Sequence, residues 1–207
     1  VANYDAASNS TAIGIYRGAA NRYFASTDYD ELGRVIGQRG VNGQNVRYAY
    51  DNNGNLKKVT DSLGRATTHE YDALNRRTKT TNARNGVVQY RYDAGDRLIQ
   101  VTDPIGVITT YTYDGFGQLW RQSSPDTGTI TYGYTASGFR NAMTRADGVA
   151  TSYAYDGIGR LSSIAAGGKS QVFGYDSCSN GKLRLCKITD PTGVLVYTYT
   201  PQGQIAT

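Results

Sequence analysis

A tyrosine returns at positions 29, 50, 71, 92, 113, 134 and 155, six successive steps of 21 residues without a slip. The register continues at Tyr175 after a step of 20 and at Tyr199 after a step of 24. Aspartate follows as Asp30, Asp51, Asp72, Asp93, Asp114, Asp156 and Asp176, while Thr135 and Thr200 break the rule. A second aromatic stands two residues earlier at Tyr48, Tyr90, Tyr111, Tyr132, Tyr153, Phe173 and Tyr197. A period this regular constrains the fold more than any single motif, because equivalent units must stack on one another to be stable.

Residues 86–106 show what one unit contains. Gly86 to Tyr92 is rich in β-branched and aromatic residues without helical spacing, so it reads as a strand. Asp93-Ala94-Gly95-Asp96 follows, with Asp114-Gly115-Phe116-Gly117 and Asp156-Gly157-Ile158-Gly159 in the same place elsewhere. Aspartate offers an acceptor to the backbone two residues on and glycine tolerates positive φ, which is turn chemistry. Arg97 to Thr102 is the return strand, and Asp103-Pro104-Ile105-Gly106 turns the chain again, as do Asp61-Ser62-Leu63-Gly64 and Asp190-Pro191-Thr192-Gly193. Each repeat is therefore a β-hairpin of two strands and two four-residue turns. The expected fold is all-β, an antiparallel meander of these hairpins.

Tyr111 and Tyr113 lie two apart and share a face of their strand, as Tyr132 and Tyr134 do in the next repeat. Stacked repeats then build rows of rings, each cross-strand pair contributing roughly 0.2–1 kcal/mol. The two readings of these rows are ladder packing and a ring platform for carbohydrate. In the return strand, apolar residues recur six and nine places after the tyrosine: Leu56 with Val59, Leu98 with Val101, Leu161 with Ile164. A separation of three does not keep one face of a regular strand, so either a bulge intervenes or the first residue belongs to the turn.

Aliphatic residues are sparse, but 18 tyrosines supply amphipathic area, which argues against disorder and for a thin structure with little conventional core. About sixteen strands at roughly 4.8 Å each would make a sheet approaching ~75 Å wide. Open twisted sheets rarely exceed about ten strands without curling, so a curled or spiral strip is expected. The net charge of +5 is spread along the chain. Arg34, Arg65, Arg76, Arg97 and Arg160 each follow the turn glycine or its equivalent, interleaved with the motif aspartates. This reads as cross-strand charge pairing at solvated edges and not as the clustered footprint of a nucleic-acid binder. No apolar run is long enough to enter a membrane as a helix, and no signal or lipidation motif is present.

Along the chain, residues 1–28 do not keep the register and read as an irregular or degenerate N-terminal repeat. Tyr4-Asp5, Tyr16 and Tyr23-Phe24 suggest strands there. Residues 29–207 read as the array, about eight repeats, expected to be a fragment of something longer. The single histidine, His69, stands where an aromatic usually does and reads as a packing substitute, with no second histidine for a metal site or dyad. The stretch from Phe173 to Cys186 lengthens its turn and carries the only two cysteines. Facing each other across a hairpin, Cys178 and Cys186 can close a disulfide in an oxidising compartment. Two buried thiols are the other reading.

Catalytic constellations are missing. The aspartates are spaced by the repeat and sit in turns, the glycines open no helix, and one carboxylate per turn falls short of a calcium site. No enzyme activity, no cofactor and no metal site are expected.

The unit Tyr155-Asp156-Gly157-Ile158-Gly159-Arg160-Leu161 resembles the YD-repeat, or RHS-repeat, family in full, and Tyr29-Asp30-Glu31-Leu32-Gly33-Arg34-Val35 resembles it nearly as well. The resemblance covers about residues 29–205. It implies a bacterial polymorphic-toxin scaffold similar to RHS proteins, the C component of insecticidal toxin complexes and the cell-surface teneurins. In that family long arrays form a spiralling β-shell, which in the bacterial toxins encloses a C-terminal toxin. Secretion or display on the cell surface with contact delivery is implied. The partners implied are other segments of the same shell and the enclosed toxin domain. The core region that usually follows the repeats, where self-cleavage by aspartates is expected, and a toxin domain are both missing from the sequence. Eight repeats leave edges that invite pairing with another copy. The rival function is a carbohydrate-binding or adhesive surface module, and an enzyme is the weakest reading.

Overall fold

The computed structural model describes residues 2–4, 6, 10–17, 21–40 and 43–206. Asp5, expected to belong to an early strand motif, lies outside the described residues. The chain divides into two compact units, residues 1–107 and residues 108–207. Nineteen strands are present among the described residues.

In the first unit they are β1 (Ala2–Tyr4), β2 (Ser10–Arg17), β3 (Asn21–Tyr29), β4 (Val35–Arg39), β5 (Asn45–Tyr50), β6 (Leu56–Thr60), β7 (Ala66–Tyr71), β8 (Arg77–Thr81), β9 (Val87–Tyr92) and β10 (Leu98–Thr102). In the second they are β11 (Ile108–Tyr113), β12 (Leu119–Ser124), β13 (Gly128–Tyr134), β14 (Arg140–Thr144), β15 (Ala150–Tyr155), β16 (Leu161–Ala166), β17 (Lys169–Tyr175), β18 (Leu185–Asp190) and β19 (Gly193–Val196). Within each unit every strand pairs antiparallel with the next, so the fold is the all-β meander of hairpins that the period predicts.

The hairpins owe their shape to one recurring turn. Gly54 N–H donates to the Asp51 carbonyl (3.1 Å) and Asp51 N–H to the Asn55 carbonyl (2.9 Å). Gly54 has φ +89°, so this is a tight turn closed by one left-handed residue. Where glycine is absent from that position, Asn75, Asn85 and Asp96 stand there with φ near +60°. Asparagine and aspartate are the residues that tolerate this conformation. In Asp93-Ala94-Gly95-Asp96 the left-handed residue is therefore Asp96 and not Gly95. The regular connections, such as that from Tyr50 to Leu56 and that from Thr60 to Ala66, span five residues between strand ends, one more than the four-residue turns the sequence suggests.

A bulge resolves the spacing of three in the return strand. Tyr50 pairs with Leu56, but Ala49 pairs with Lys58, leaving Lys57 unmatched. The same shift recurs beside Tyr29, Tyr71, Tyr92, Tyr113, Tyr134, Tyr155 and Tyr175. Tyr48 then pairs with Val59, so Leu56 and Val59 lie on the face of the two tyrosines. That face is half-buried and the other is exposed, as the alternation in β5 and β9 records. Among the described residues Cys186, 1% exposed, is the one buried apolar side chain. Stability must come from contacts along the sheet and not from a second layer over it.

The two irregular steps also have local causes. Gly167 and Gly168, both with positive φ, turn β16 into β17 in two residues, which shortens that repeat to 20. After Tyr175 the connection lengthens from five residues to nine before Asp176 N–H meets the Arg184 carbonyl (3.1 Å), and the two-residue turn from β18 to β19 takes one residue back, which together give the step of 24.

Candidate functional site

The motif residues build one recurring contact between neighbouring hairpins. Each aspartate organises its own turn. Asp72 Oδ1 accepts the Leu74 and Arg76 N–H groups, both at 3.0 Å, and its Oδ2 takes the Arg76 guanidinium at 2.8 and 2.7 Å. Asp30 with Arg34, Asp93 with Arg97 and Asp156 with Arg160 repeat the arrangement. The backbone N–H of Arg34, with its guanidinium, holds the Asp30 carboxyl below the ordinary carboxylate range. The Arg76 side chain does the same for Asp72, and the Asn55 side chain for Asp51. Each of these arginines thus pairs first with the aspartate of its own turn, and Arg76 and Arg160 also reach an aspartate of the next hairpin, so the pairing the spacing of arginines suggests is partly local and partly between strands. Asp114 keeps the two backbone contacts, from Phe116 and Gln118. Thr135 and Thr200, which replace the aspartate, retain a single one each, from Phe139 and Gln204.

The arginine also reaches the next repeat. Arg34 lies 4.6 Å from the Tyr50 ring centroid, Arg76 4.9 Å from Tyr92, Arg160 4.3 Å from Tyr175 and Arg184 5.0 Å from Tyr199. Where Thr135 removes the carboxylate, Phe139 takes the arginine position and stacks on Tyr155 at 4.9 Å. The shared requirement is a flat group over the next tyrosine. Polar bridges accompany it: Arg76 to Asp96 (2.6 Å), Arg160 to Asp176 (2.7 Å), Asn55 to Asn75 (2.8 Å) and Gln118 to the Gly138 carbonyl (3.2 Å).

The tyrosine completes the contact with its hydroxyl. Tyr50 donates to the Val35 carbonyl, Tyr71 to Leu56, Tyr92 to Arg77, Tyr134 to Leu119, Tyr155 to Arg140, Tyr175 to Leu161 and Tyr199 to Leu185, all at 2.7–2.9 Å. Each acceptor is the first residue of the preceding return strand. Ring packing alone does not predict this bond. The one available signal is that the position never holds phenylalanine, whereas the aromatic two residues earlier does so at Phe173. Tyr29 and Tyr113 occupy the same strand-end positions in β3 and β11.

Cys178 and Cys186 are joined in a disulfide, with Cα atoms 5.4 Å apart. It does not run strand to strand as the hairpin geometry suggests. Cys186 is the unmatched bulge residue of β18, while Cys178 lies in the inserted loop beyond the end of β17. The loop folds over the bulge, Gly181 packs against both sulfurs, and Asn180 donates to the Tyr199 carbonyl (2.7 Å). His69 Nδ1 lies 3.0 Å from Thr80 Oγ1, its cross-strand partner, and burial lowers its pKa. Among the described residues no three His, Cys, Asp or Glu side chains group as a metal site would.

Among the described residues the repeated motif is engaged in bonds within each turn and in contacts between neighbouring repeats, the arrangement of a structural wall. The chain belongs to the teneurin YD-shell family, whose model matches residues 2–205. No match was found among curated protein sequences. Among solved structures it is similar to the crystal structure of TcdB2-TccC3-TEV, at TM-score 0.54 and 14% identity over 98% of this chain and 15% of that one. A crystal structure of TcdB2-TccC3 without its hypervariable C-terminal region matches at TM-score 0.52 and 16% identity, over 91% of this chain and 10% of that one. That of TcdB2-TccC3-Cdc42 matches at 0.51 and 15%, over 99% and 15%. These similarities concern the fold. The chain spans a small part of the length of the chains it matches.

Proposed function

We propose that this chain is a wall segment of an encapsulating β-shell that houses a C-terminal toxin and releases it from a secreted or cell-surface bacterial protein. The observation that carries the reading is the contact between hairpins. Each motif aspartate fixes its own turn, while tyrosine hydroxyls and several arginine guanidiniums join one repeat to the next, which is the requirement of a thin wall and not of a reaction centre. Residues 1–28 are the degenerate first unit of this wall and residues 29–207 its regular array. Its partners are further segments of the same shell. The exposed Val194, Leu195 and Val196 of β19 are a surface that such a segment would cover. The protein has no catalytic role of its own and needs no cofactor.

The carbohydrate-platform reading has less support. The motif tyrosine hydroxyls are spent on backbone carbonyls and several rings carry a guanidinium on one face, which leaves little for a sugar to use. The test is limited proteolysis of the full-length protein, following the C-terminal segment with and without mild denaturant. Protection that persists until the repeats unfold supports enclosure. Rapid cleavage of that segment while the repeats stay intact would remove it.

A further inference from the structure

The exposed face of the first unit contains a place where one repeat lacks the carboxylate its neighbours have. On this face, Asp28 pairs with Arg39 (2.5 Å) across β3 and β4, and Glu70 pairs with Lys79 (2.9 Å) across β7 and β8. Glu70 and Lys79 are direct cross-strand partners. The same two positions in the hairpin between them are Ala49 and Lys58, also direct partners. Alanine stands where the repeats on either side carry Asp28 and Glu70, and Lys58 makes no ion pair among the described residues. Arg47 is diagonal to it, opposite Thr60 on β6, and it too has no carboxylate partner. Diagonal positions on one sheet face lie about 7–8 Å apart, within reach of both long side chains.

This place is concave. A depression of about 700 Å³ is lined there by Ile36, Arg47, Ala49, Lys58 and Thr60, with the Asp30–Arg34 pair at one end. Ile36, an unmatched bulge residue, is 38% exposed and forms an apolar wall. Tyr48 and Tyr50 also border the depression, but strand alternation sends their rings to the opposite face. Their hydroxyls are bound there by Gln38 (2.9 Å) and the Val35 carbonyl (2.8 Å). The arrangement thus has two cations without a carboxylate partner among the described residues, a hydroxyl, the small side chain of Ala49 between them and an aliphatic wall, and on this face no ring on which a base or sugar would stack.

We infer that this depression between β4, β5 and β6 is a binding site for an acidic polypeptide, which supplies a glutamate or aspartate carboxylate to Arg47 and Lys58 in place of the one this repeat lacks. The aliphatic stem of the ligand residue lies against Ile36 and Ala49. Binding of this kind weakens as salt is raised, because the cations are exposed.

The experiment is calorimetric titration of the 207-residue chain with an oligoglutamate peptide, and in parallel with oligoglutamine and oligothymidylate. Salt-sensitive binding of oligoglutamate alone is expected. Ala49→Glu installs the missing carboxylate opposite Lys58, as Glu70 stands opposite Lys79, and is expected to weaken binding by about tenfold or more while leaving the melting temperature unchanged or raised. Thr112→Glu places the same added charge opposite Arg121 on the exposed face of β11 and is expected to leave binding unaltered. Equal loss in both variants means attraction to bulk charge and overturns the site. So does tighter binding of oligothymidylate, or no binding by the folded chain.

Discussion

Tyr71 shows at the residue scale why the motif calls for tyrosine. Its ring lies on the half-buried face of β7, but its hydroxyl ties that strand to the Leu56 carbonyl at the start of β6 (2.8 Å). Removing the hydroxyl leaves the carbonyl to find water within a packed row. Tyr71→Phe is expected to cost about 1 kcal/mol. Tyr71→Ala, which also removes the ring, is expected to cost roughly 2–4 kcal/mol for a half-buried aromatic. Urea denaturation of the two variants beside the parent measures both steps. Equal stability of Tyr71→Phe and the parent would mean that the ring alone carries the contact. Thr135 and Phe139 point to the same division of labour, because the loss of a motif aspartate coincides with a ring that keeps the stacking and gives up the ion pair.

At the scale of the element, the hairpin depends on one left-handed residue per turn and one unmatched residue per return strand. The Asp156 turn contains two glycines that differ sharply in this respect. Gly159 has φ +85°, and a Cβ there would come within 2.7 Å of the Phe139 ring. Gly157 has no positive φ, and a Cβ there would meet nothing within 4 Å. Gly159→Ala is therefore expected to destabilise by about 1–3 kcal/mol through strain and crowding. Gly157→Ala is expected to be neutral or stabilising by up to ~1 kcal/mol, through the unfolded chain. Thermal melts of the pair decide, and a larger loss at 157 would contradict the turn geometry. The inserted loop after Tyr175 departs from this economy. Leu183 takes the left-handed position with φ +62°, where a leucine is disfavoured, and the Cys178–Cys186 disulfide holds the loop that imposes it.

For the molecule as a whole, the scarcity of buried side chains means that stability is a sum over neighbouring repeats. Charge enters that sum through the turns. The carboxyls of Asp30, Asp51, Asp61, Asp72, Asp93, Asp156, Asp176 and Asp190 all titrate below their ordinary value in the folded chain. A lowered folded-state pKa means that the unfolded chain takes up the proton first. Their stabilisation is complete above the ordinary carboxylate range and is lost as pH falls through it toward the folded values. The melting temperature is expected to stay nearly level from neutral pH to about 5 and to drop steeply below about 4. His69 adds a slight decline on the acid side of 6.5, since burial disfavours its charged form. Calorimetry across this range checks both, and a melting temperature that rises on acidification would contradict the turn bonding.

The period, the strand pairs, the turn aspartates and the family resemblance were legible in the sequence, because they depend on local chemistry repeated at fixed spacing. Tyr155 to Leu161 declares a strand end, a turn and a return strand without any tertiary information. Three features needed the folded chain. The bulge at Lys57 and its counterparts follows from pairing register, which is a relation between two strands and leaves only an odd spacing of three in one. The hydroxyl of Tyr71 finds Leu56, and Arg34 finds the ring of Tyr50, because consecutive hairpins lie side by side, which brings together residues about fifteen apart in sequence. Cations that look evenly spread along the chain collect on one side at Arg47 and Lys58, because strand alternation sorts neighbours to opposite faces. Local rules determined the hairpin, and only the stacking of hairpins decided which side chains meet.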